Sequence, residues 1–145
     1  MTTLALSTPE APAHRAHVLV CVAGGRDDLL LMRQGWSWAS RLGAALTVLH
    51  VLQTESAGHH DEMIAADRAF AAALGAPLIE LPAYSVPDGI AEFAAERAVS
   101  HIVLSEPPGA QRWPVSRPPL SQALAMRLHD IEILIFNRPA GRAGA

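Results

Sequence analysis

Short apolar runs alternate with segments of helical period along this 145-residue chain, and that alternation restricts its fold more than any other feature of the sequence. Five runs rich in valine, isoleucine and leucine have the length of buried strands. We predict strands at residues 18–23, 45–52, 77–81, 101–104 and 131–136. The segments between them carry apolar residues at helical spacing. Strands that alternate with helices form a parallel sheet, because each helix returns the chain to the start of the next strand.

The pattern predicts an α/β domain with a Rossmann-like, open parallel five-stranded sheet and helices on both faces. We expect one domain over residues 17–138, because a chain of this length with half its residues hydrophobic can bury a single sizeable core. Residues 1–16 and 139–145 are expected to be flexible tails.

The first helix has the clearest boundaries. Asp27 and Asp28 are expected to open it, since carboxylates suit the positive end of a helix dipole. Gly43 is expected to close it in the left-handed conformation that glycine favours. The apolar stripe of this helix includes Trp36 and Trp38, and we expect both in the core.

Charge and composition exclude several classes of function. The net charge of -3 leaves no basic surface for duplex nucleic acid or an anionic membrane. No apolar run approaches the roughly 20 residues that span a bilayer. The chain contains no lysine, which removes a Walker phosphate-binding lysine and a Schiff-base lysine. We expect no catalytic activity, because no positioned base, nucleophile or metal-binding carboxylate pair can be named.

Cys21 is the single cysteine and lies within an apolar run, so it cannot form an intrachain disulfide and is expected to be a buried, inert thiol. The amino-terminal residues lack the basic start and unbroken apolar segment of a signal peptide. Both observations favour a reducing compartment, and we expect a cytoplasmic location.

Ligands of open parallel sheets bind beyond the carboxyl ends of the strands, where the strand order reverses. In this chain that edge comprises residues 23–27, 50–53, 81–84 and 105–109. The last of these stretches opens a loop that carries five prolines. A proline has no backbone N–H with which to hold a phosphate. The position of the loop thus favours an anionic ligand, whereas its composition does not.

The chain resembles the universal stress proteins of the UspA type over roughly residues 17–136. The resemblance rests on HVLVCVAGG at the first strand, ASRLGAALTVLHV at the first helix and second strand, ALGA before the third strand, IAEFAAERAVSHIVLS, an Arg-Trp pair, and DIEILIF at the last strand. It is most similar to the universal-stress module of KdpD-type sensor histidine kinases. The resemblance implies the adenine nucleotide alpha hydrolase-like form of the fold, a nucleotide pocket in some members, frequent dimerisation and a regulatory role.

ATP-binding members of that family carry G-x2-G-x9-G-[ST] after the fourth strand, and this chain departs from the motif. Ser105 replaces the first glycine, Pro108 stands where the second should fall, and Gly109 comes one position late. Pro118, Pro119, Leu120 and Ser121 surround the position of the final pair. An aspartate near the end of the first strand helps to seat adenosine in these members, and Ala23 occupies that position here.

The resemblance implies ATP or a related adenine nucleotide as the ligand, held at the carboxyl edge of the sheet. The expected contacts are Ala23, Gly24, Gly25, His50, Ser105, Gly109, Arg112, Trp113, Arg117 and Ser121. The two arginines and the tryptophan would hold an anionic or aromatic ligand by charge and stacking. In the alternative interpretation, Trp113 covers the sheet edge or a partner surface and His50 is a structural core residue.

No metal is expected. His59, His60, Asp61 and Glu62 carry ligating groups, but adjacent helical positions point apart and no second cluster completes a site.

The last strand offers a different function. Residues 131–136 are apolar on nearly both faces, and a strand of that kind at a sheet edge invites pairing with a second copy of the chain. Two hypotheses therefore stand: a domain that senses an adenine nucleotide, and a ligand-free interaction or dimerisation module in stress or potassium signalling. The second implies a signalling protein or another copy as partner.

Overall fold

The computed structural model describes residues 16–53, 61–106 and 118–137. Within these residues five strands alternate with four helices, as the sequence predicts. The strands are β1 (His17–Val22), β2 (Ala45–Gln53), β3 (Leu78–Ala83), β4 (His101–Glu106) and β5 (Glu132–Asn137). The helices are α1 (Asp28–Leu42), α2 (Asp61–Ala73), α3 (Val86–Glu96) and α4 (Leu120–Arg127).

The strands form one parallel sheet in the order β3-β2-β1-β4-β5, which confirms the predicted fold class. The chain builds outward from β1 through β2 to β3, then returns to place β4 on the other side of β1. The strand order therefore reverses between β1 and β4, and a crevice opens there beyond their carboxyl ends.

Two apolar layers cover the faces of the sheet, as expected for a sheet with helices on both sides. One layer joins β1, β2 and β4 to α1 and α2 and includes Val18, Val20, Leu31, Met32, Val48, Ile64 and Ala71. The other joins the same strands to α3 and α4 and includes Leu19, Leu49, Ile90, Phe93, Ile102, Leu104 and Leu124. Consecutive residues of β1 alternate between the layers, because successive strand side chains point to opposite faces.

Several strands extend beyond their predicted ends. β3 continues through Pro82 to Ala83, and β4 continues to Glu106. Pro82 is accommodated because β3 is an edge strand, where a missing N–H removes no ladder hydrogen bond on the outer side. β4 reaches Glu106 because its pairing with β5 extends to Asn137. Both strands therefore extend two residues further toward the carboxyl edge of the sheet than the sequence predicts.

Gly43 ends α1 at φ 64°, and its N–H donates to the carbonyls of Ala39 and Ser40. The predicted glycine cap is confirmed. At the start of α3, the hydroxyl of Ser85 accepts from the backbone N–H of Asp88 at 3.2 Å, which satisfies one of the free amides of the first turn.

The prediction that Trp36 lies in the core is wrong, since 47% of this residue is exposed. Helix α1 packs on the sheet through Gly35, where an added Cβ would lie 2.2 Å from Cγ2 of Val20. Trp36 follows by one residue and so lies about 100° around the helix. Trp38 is half-buried and packs edge-on against His101 with ring centroids 4.6 Å apart.

None of the helices among the described residues combines the length and apolarity needed to cross a bilayer.

Candidate functional site

A cavity of about 330 Å³ opens at the carboxyl edge of the sheet. Its walls come from β1, β2, β3 and β4, the loop after β1, and the amino-terminal turns of the four helices. The residues that line it include Cys21, Ala23, Gly25, Asp27, Asp28, His50, Glu80, Val86, Leu104, Ser105 and Leu120. This is the crevice at which the strand order reverses, where open parallel sheets bind ligands.

The cavity brings together four of the residues that the sequence suggests as ligand contacts: Ala23, Gly25, His50 and Ser105. Gly24 belongs to the loop after β1 and Ser121 to the first turn of α4, and neither lines the cavity. The remaining suggested contacts, Gly109, Arg112, Trp113 and Arg117, lie outside the described residues, as do His59 and His60 of the weighed metal cluster.

Asp28 holds the loop that follows β1. Its carboxylate accepts from the backbone N–H of Gly24 at 2.9 Å and from that of Ala23 at 3.3 Å. The residue is only 3% exposed. The sequence predicts a role for Asp28 at the helix start alone, but its carboxylate also holds the loop that borders the cavity. The two glycines after β1 allow the loop to curl back over the first turn of α1, which brings these amides to the carboxylate.

Asp67 on α2 lies beside Asp28, and 1% of it is exposed. Burial raises the pKa of Asp67 from 3.8 to about 8, with further contributions from its hydrogen bond to Asp28 and the negative charge of that residue. One carboxyl oxygen of Asp67 finds no donor among the described residues. A proton on Asp67 supplies the donor that two adjacent carboxylates lack, so Asp67 is mostly neutral near pH 7.

Sequence reasoning missed Asp67, although the sequence contains a signal for it. On α2, Ile64, Asp67 and Ala71 are spaced by three and four residues and share the buried face. A carboxylate within an apolar stripe is rare unless it is paired. The position of Asp67 in this stripe therefore indicates a paired carboxylate.

Glu106 at the end of β4 was also missed. Its carboxylate accepts from the backbone N–H of Ser121 in the first turn of α4, and the residue is 8% exposed. The N-cap of α4 is Pro119, whose side chain makes no capping hydrogen bond. Glu106, at the end of β4, therefore accepts the hydrogen bond that an N-cap side chain ordinarily accepts.

His50 lies in the wall at the end of β2 and is 8% exposed. Its Nδ1 lies 3.6 Å from a carboxylate oxygen of Glu80 and makes no hydrogen bond among the described residues. Glu80 also pairs with Arg68, whose guanidinium donates to it at 3.1 Å. The same guanidinium donates to the carbonyl of Leu78, and Arg68 does not line the cavity.

Cys21 lines the cavity from β1. Burial raises the pKa of its thiol to about 12, so the thiol is protonated at neutral pH and is a weak nucleophile. The described residues contain no group of three or more side chains suited to hold a metal ion.

Carboxylates dominate the charge of the cavity. Asp27, Asp28 and Glu80 contribute to its lining, whereas no arginine does so among the residues that the structure describes. Aliphatic side chains of β1, β2, α1 and α3 form much of the remaining wall. An apolar cavity with a few polar groups at its edge suits a flat, largely uncharged ligand.

Solved structures with a similar fold are universal stress proteins. One in complex with cAMP matches with a TM-score of 0.67 at 15% identity, over 86% of this chain and 98% of that one. One from Archaeoglobus fulgidus in complex with dAMP has a TM-score of 0.58 at 18% identity, over 83% and 96%. UspA from Lactobacillus plantarum has a TM-score of 0.55 at 16% identity, over 84% and 98%. No protein-family model and no curated protein sequence matches this chain. At these identities the likeness establishes a shared fold.

Proposed function

We propose that this chain is a universal stress protein-like regulatory domain that senses an adenine nucleotide or nucleoside in the cavity at the carboxyl edge of its sheet. The observation that carries the proposal is the cavity itself, which lies where β1 and β4 diverge and is lined by Ala23, Gly25, His50 and Ser105. Its volume suits a small ligand such as a nucleoside.

Two further observations support this proposal. Structures of the same fold have been solved in complex with cAMP and with dAMP, both of which contain adenine. The chain's own sequence segments, from the first strand to the last, resemble the same family. Arg112, Trp113 and Arg117 lie outside the described residues and remain proposed ligand contacts.

A sensing role is proposed in place of catalysis. The thiol that lines the cavity is protonated, and the chain contains no lysine. Asp28 is committed to backbone amides, and Glu80 to Arg68. None of these groups is free to act as a base or a nucleophile. The similarity of sequence segments to KdpD-type kinases favours a signalling protein as partner and potassium signalling as the setting.

Isothermal titration with adenosine, AMP, cAMP, ATP and cyclic di-AMP tests the proposal. We expect at least one to bind the wild type. Ala23→Trp should weaken that binding at least about tenfold, because the indole fills an exposed position on the cavity wall. Ala95→Trp, at an exposed position on α3 outside the cavity lining, is the matched control and should bind as the wild type does. Absence of heat with every ligand at millimolar concentration would refute the proposal.

A second function is favoured by one observation. β5 is an edge strand of the sheet, and Leu134 and Ile135, on opposite faces of it, are each 39% exposed. Unpaired backbone groups beside apolar side chains form a surface for strand pairing. We therefore also propose that the chain associates with a second copy through β5, and the molecular mass in solution tests this.

A further inference from the structure

Two sets of backbone N–H groups border the crevice between β1 and β4. The first follows β1, at Ala23 and Gly24. The second begins α4, at Ser121. Amides in a tight loop after the first strand and at a helix start are the groups with which open parallel sheets hold phosphates, because they present several donors and a partial positive charge.

In this chain both sets already donate to the protein's own carboxylates. Asp28 accepts from the two amides after β1, and Glu106 accepts from the amide of Ser121. Both carboxylates are more than nine-tenths buried. A phosphate could take these amides only by leaving a buried carboxylate without its donors, which carries a large desolvation penalty.

The charge of the cavity acts in the same direction. A phosphate at either set of amides would lie next to Asp28 or Glu106, and like charges at that distance repel. Glu80 also lines the cavity, where its carboxylate is paired with the guanidinium of Arg68.

We propose that the cavity selects an uncharged nucleoside over its phosphorylated forms, and that Glu106 and Asp28 determine this selectivity by occupying the amides that a phosphate needs. The inference rests on the proposed function and narrows its ligand from an adenine nucleotide to the nucleoside. Glu106 is the better residue to substitute, because it ends β4 and its carboxylate contacts only the start of α4 among the hydrogen bonds described. Asp28, in contrast, is part of the buried pair with Asp67.

Titration of adenosine, AMP and ATP into the wild type and Glu106 variants at constant ionic strength tests the selectivity. We expect the wild type to bind adenosine about tenfold tighter than AMP, with ATP weaker still. Glu106→Ala frees the Ser121 amide and removes a charge, so the ratio should shift about fivefold to tenfold toward AMP. Glu106→Gln removes the charge but keeps an acceptor for the amide, so it should shift the ratio less.

Glu96→Ala is the matched control. It removes one exposed carboxylate at the far end of α3, away from the cavity, and should leave the ratio unchanged. If Glu106→Ala loses stability because α4 is no longer capped, Glu106→Gln still reports the effect of charge in a capped helix.

Inorganic phosphate provides a readout that does not depend on adenosine. Phosphate at tens of millimolar should raise the melting temperature of Glu106→Ala and leave that of the wild type and Glu96→Ala unchanged, with sodium chloride matching the ionic strength. A wild type that binds AMP or ATP tighter than adenosine would overturn the selectivity while the proposed function stands. The selectivity is also overturned if neither Glu106 variant shifts the ratio.

The same measurements also detect the case in which the proposed function fails and the role of Glu106 is supported. If no adenine compound binds any variant but phosphate stabilises Glu106→Ala alone, the proposed function fails and the occupation of the α4 amide by Glu106 is supported. If phosphate also has no effect on Glu106→Ala, both proposals fail.

Discussion

A buried carboxyl group that keeps its proton makes stability depend on pH, and Asp67 is the residue of this kind next to the cavity. In the folded chain its pKa is about 8, compared with 3.8 as its ordinary value. Between these values the folded state retains a proton that the unfolded state releases. The free energy of unfolding should therefore contain a contribution that is present at low pH and is lost as the pH rises toward 8.

Asp67→Asn should remove this pH dependence, because an amide is neutral at every pH and can donate to Asp28 as the carboxylic acid does. We expect the unfolding free energy of the wild type to fall relative to that of the variant between pH 5 and pH 8, with a slope of at most about 1.4 kcal/mol per pH unit. Urea denaturation across this pH range measures the slope. Glu92→Gln, at an exposed position on α3, should parallel the wild type. A variant whose slope equals that of the wild type would show that another group titrates.

The candidate site could be predicted from the sequence only in part. Ala23, Gly25, His50 and Ser105 could be predicted because they lie at or next to the carboxyl ends of predicted strands, and parallel strands end at one edge. The apolar stripe of α2 marks Asp67 as an unusual carboxylate, but its partner Asp28 and the role of Glu106 could not be predicted, since each acts on a residue that is distant in sequence. Glu106 caps α4, and no local pattern links a carboxylate to an amide 15 positions away.

At the scale of the element, a glycine in α1 determines how closely the helix packs on the sheet. Gly35 faces Val20 of β1 so closely that only a hydrogen fits between the helix and the strand. The glycine weakens the helix intrinsically but permits close packing against the sheet. This contact also determines which tryptophan is exposed, and it explains why the apolar pattern of α1 alone predicted Trp36 in the core.

Gly35→Ala should destabilise the fold by about 1 to 3 kcal/mol, because the overlap with Cγ2 of Val20 outweighs the gain of about 1 kcal/mol in helix propensity. Combining it with Val20→Ala should recover part of the loss relative to the sum of the single changes, since the second change removes the clashing methyl group. Urea denaturation of the four proteins measures this coupling. Gly25→Ala is the control, since an added Cβ there meets nothing within 4 Å. Strictly additive losses would show that the contact does not limit the packing.

The elements themselves were predictable because hydrophobic period is a local property of the sequence. β1 and α1 lie within one residue of their predicted ends, and Gly43 closes α1 as expected. The ends of β3 and β4 were not predictable to this accuracy, since their last residues are held by pairing with strands elsewhere in the chain. Neighbouring residues in the sequence do not predict such long-range pairing.

For the whole molecule, the strand order leaves two edges, β3 and β5. β3 carries Pro82 and the charged Glu80, both of which discourage pairing with another chain. β5 presents Leu134 and Ile135 instead. The asymmetry makes β5 the edge through which a second copy is expected to bind.

Light scattering of the wild type should give twice the mass of one chain, and Ile135→Lys should give the mass of one, because a charged side chain on an edge strand opposes pairing. Met126→Lys is the matched control. It replaces an apolar side chain that is 69% exposed on α4, so the dimer should persist. A wild type that stays monomeric at high micromolar concentration would contradict the proposal.

The occupation of both sets of amides has a consequence for how such a chain can change over evolutionary time. Asp28 and Glu106 lie on different elements and satisfy different amides, so the loss of one leaves the other set still blocked. Each loss alone also removes a buried hydrogen-bonding partner before any ligand compensates for it. A lineage that has acquired both carboxylates is therefore separated from a phosphate-binding relative by two unfavourable steps. Duplication followed by divergence would more readily yield new uses of the apolar cavity than a return to phosphate.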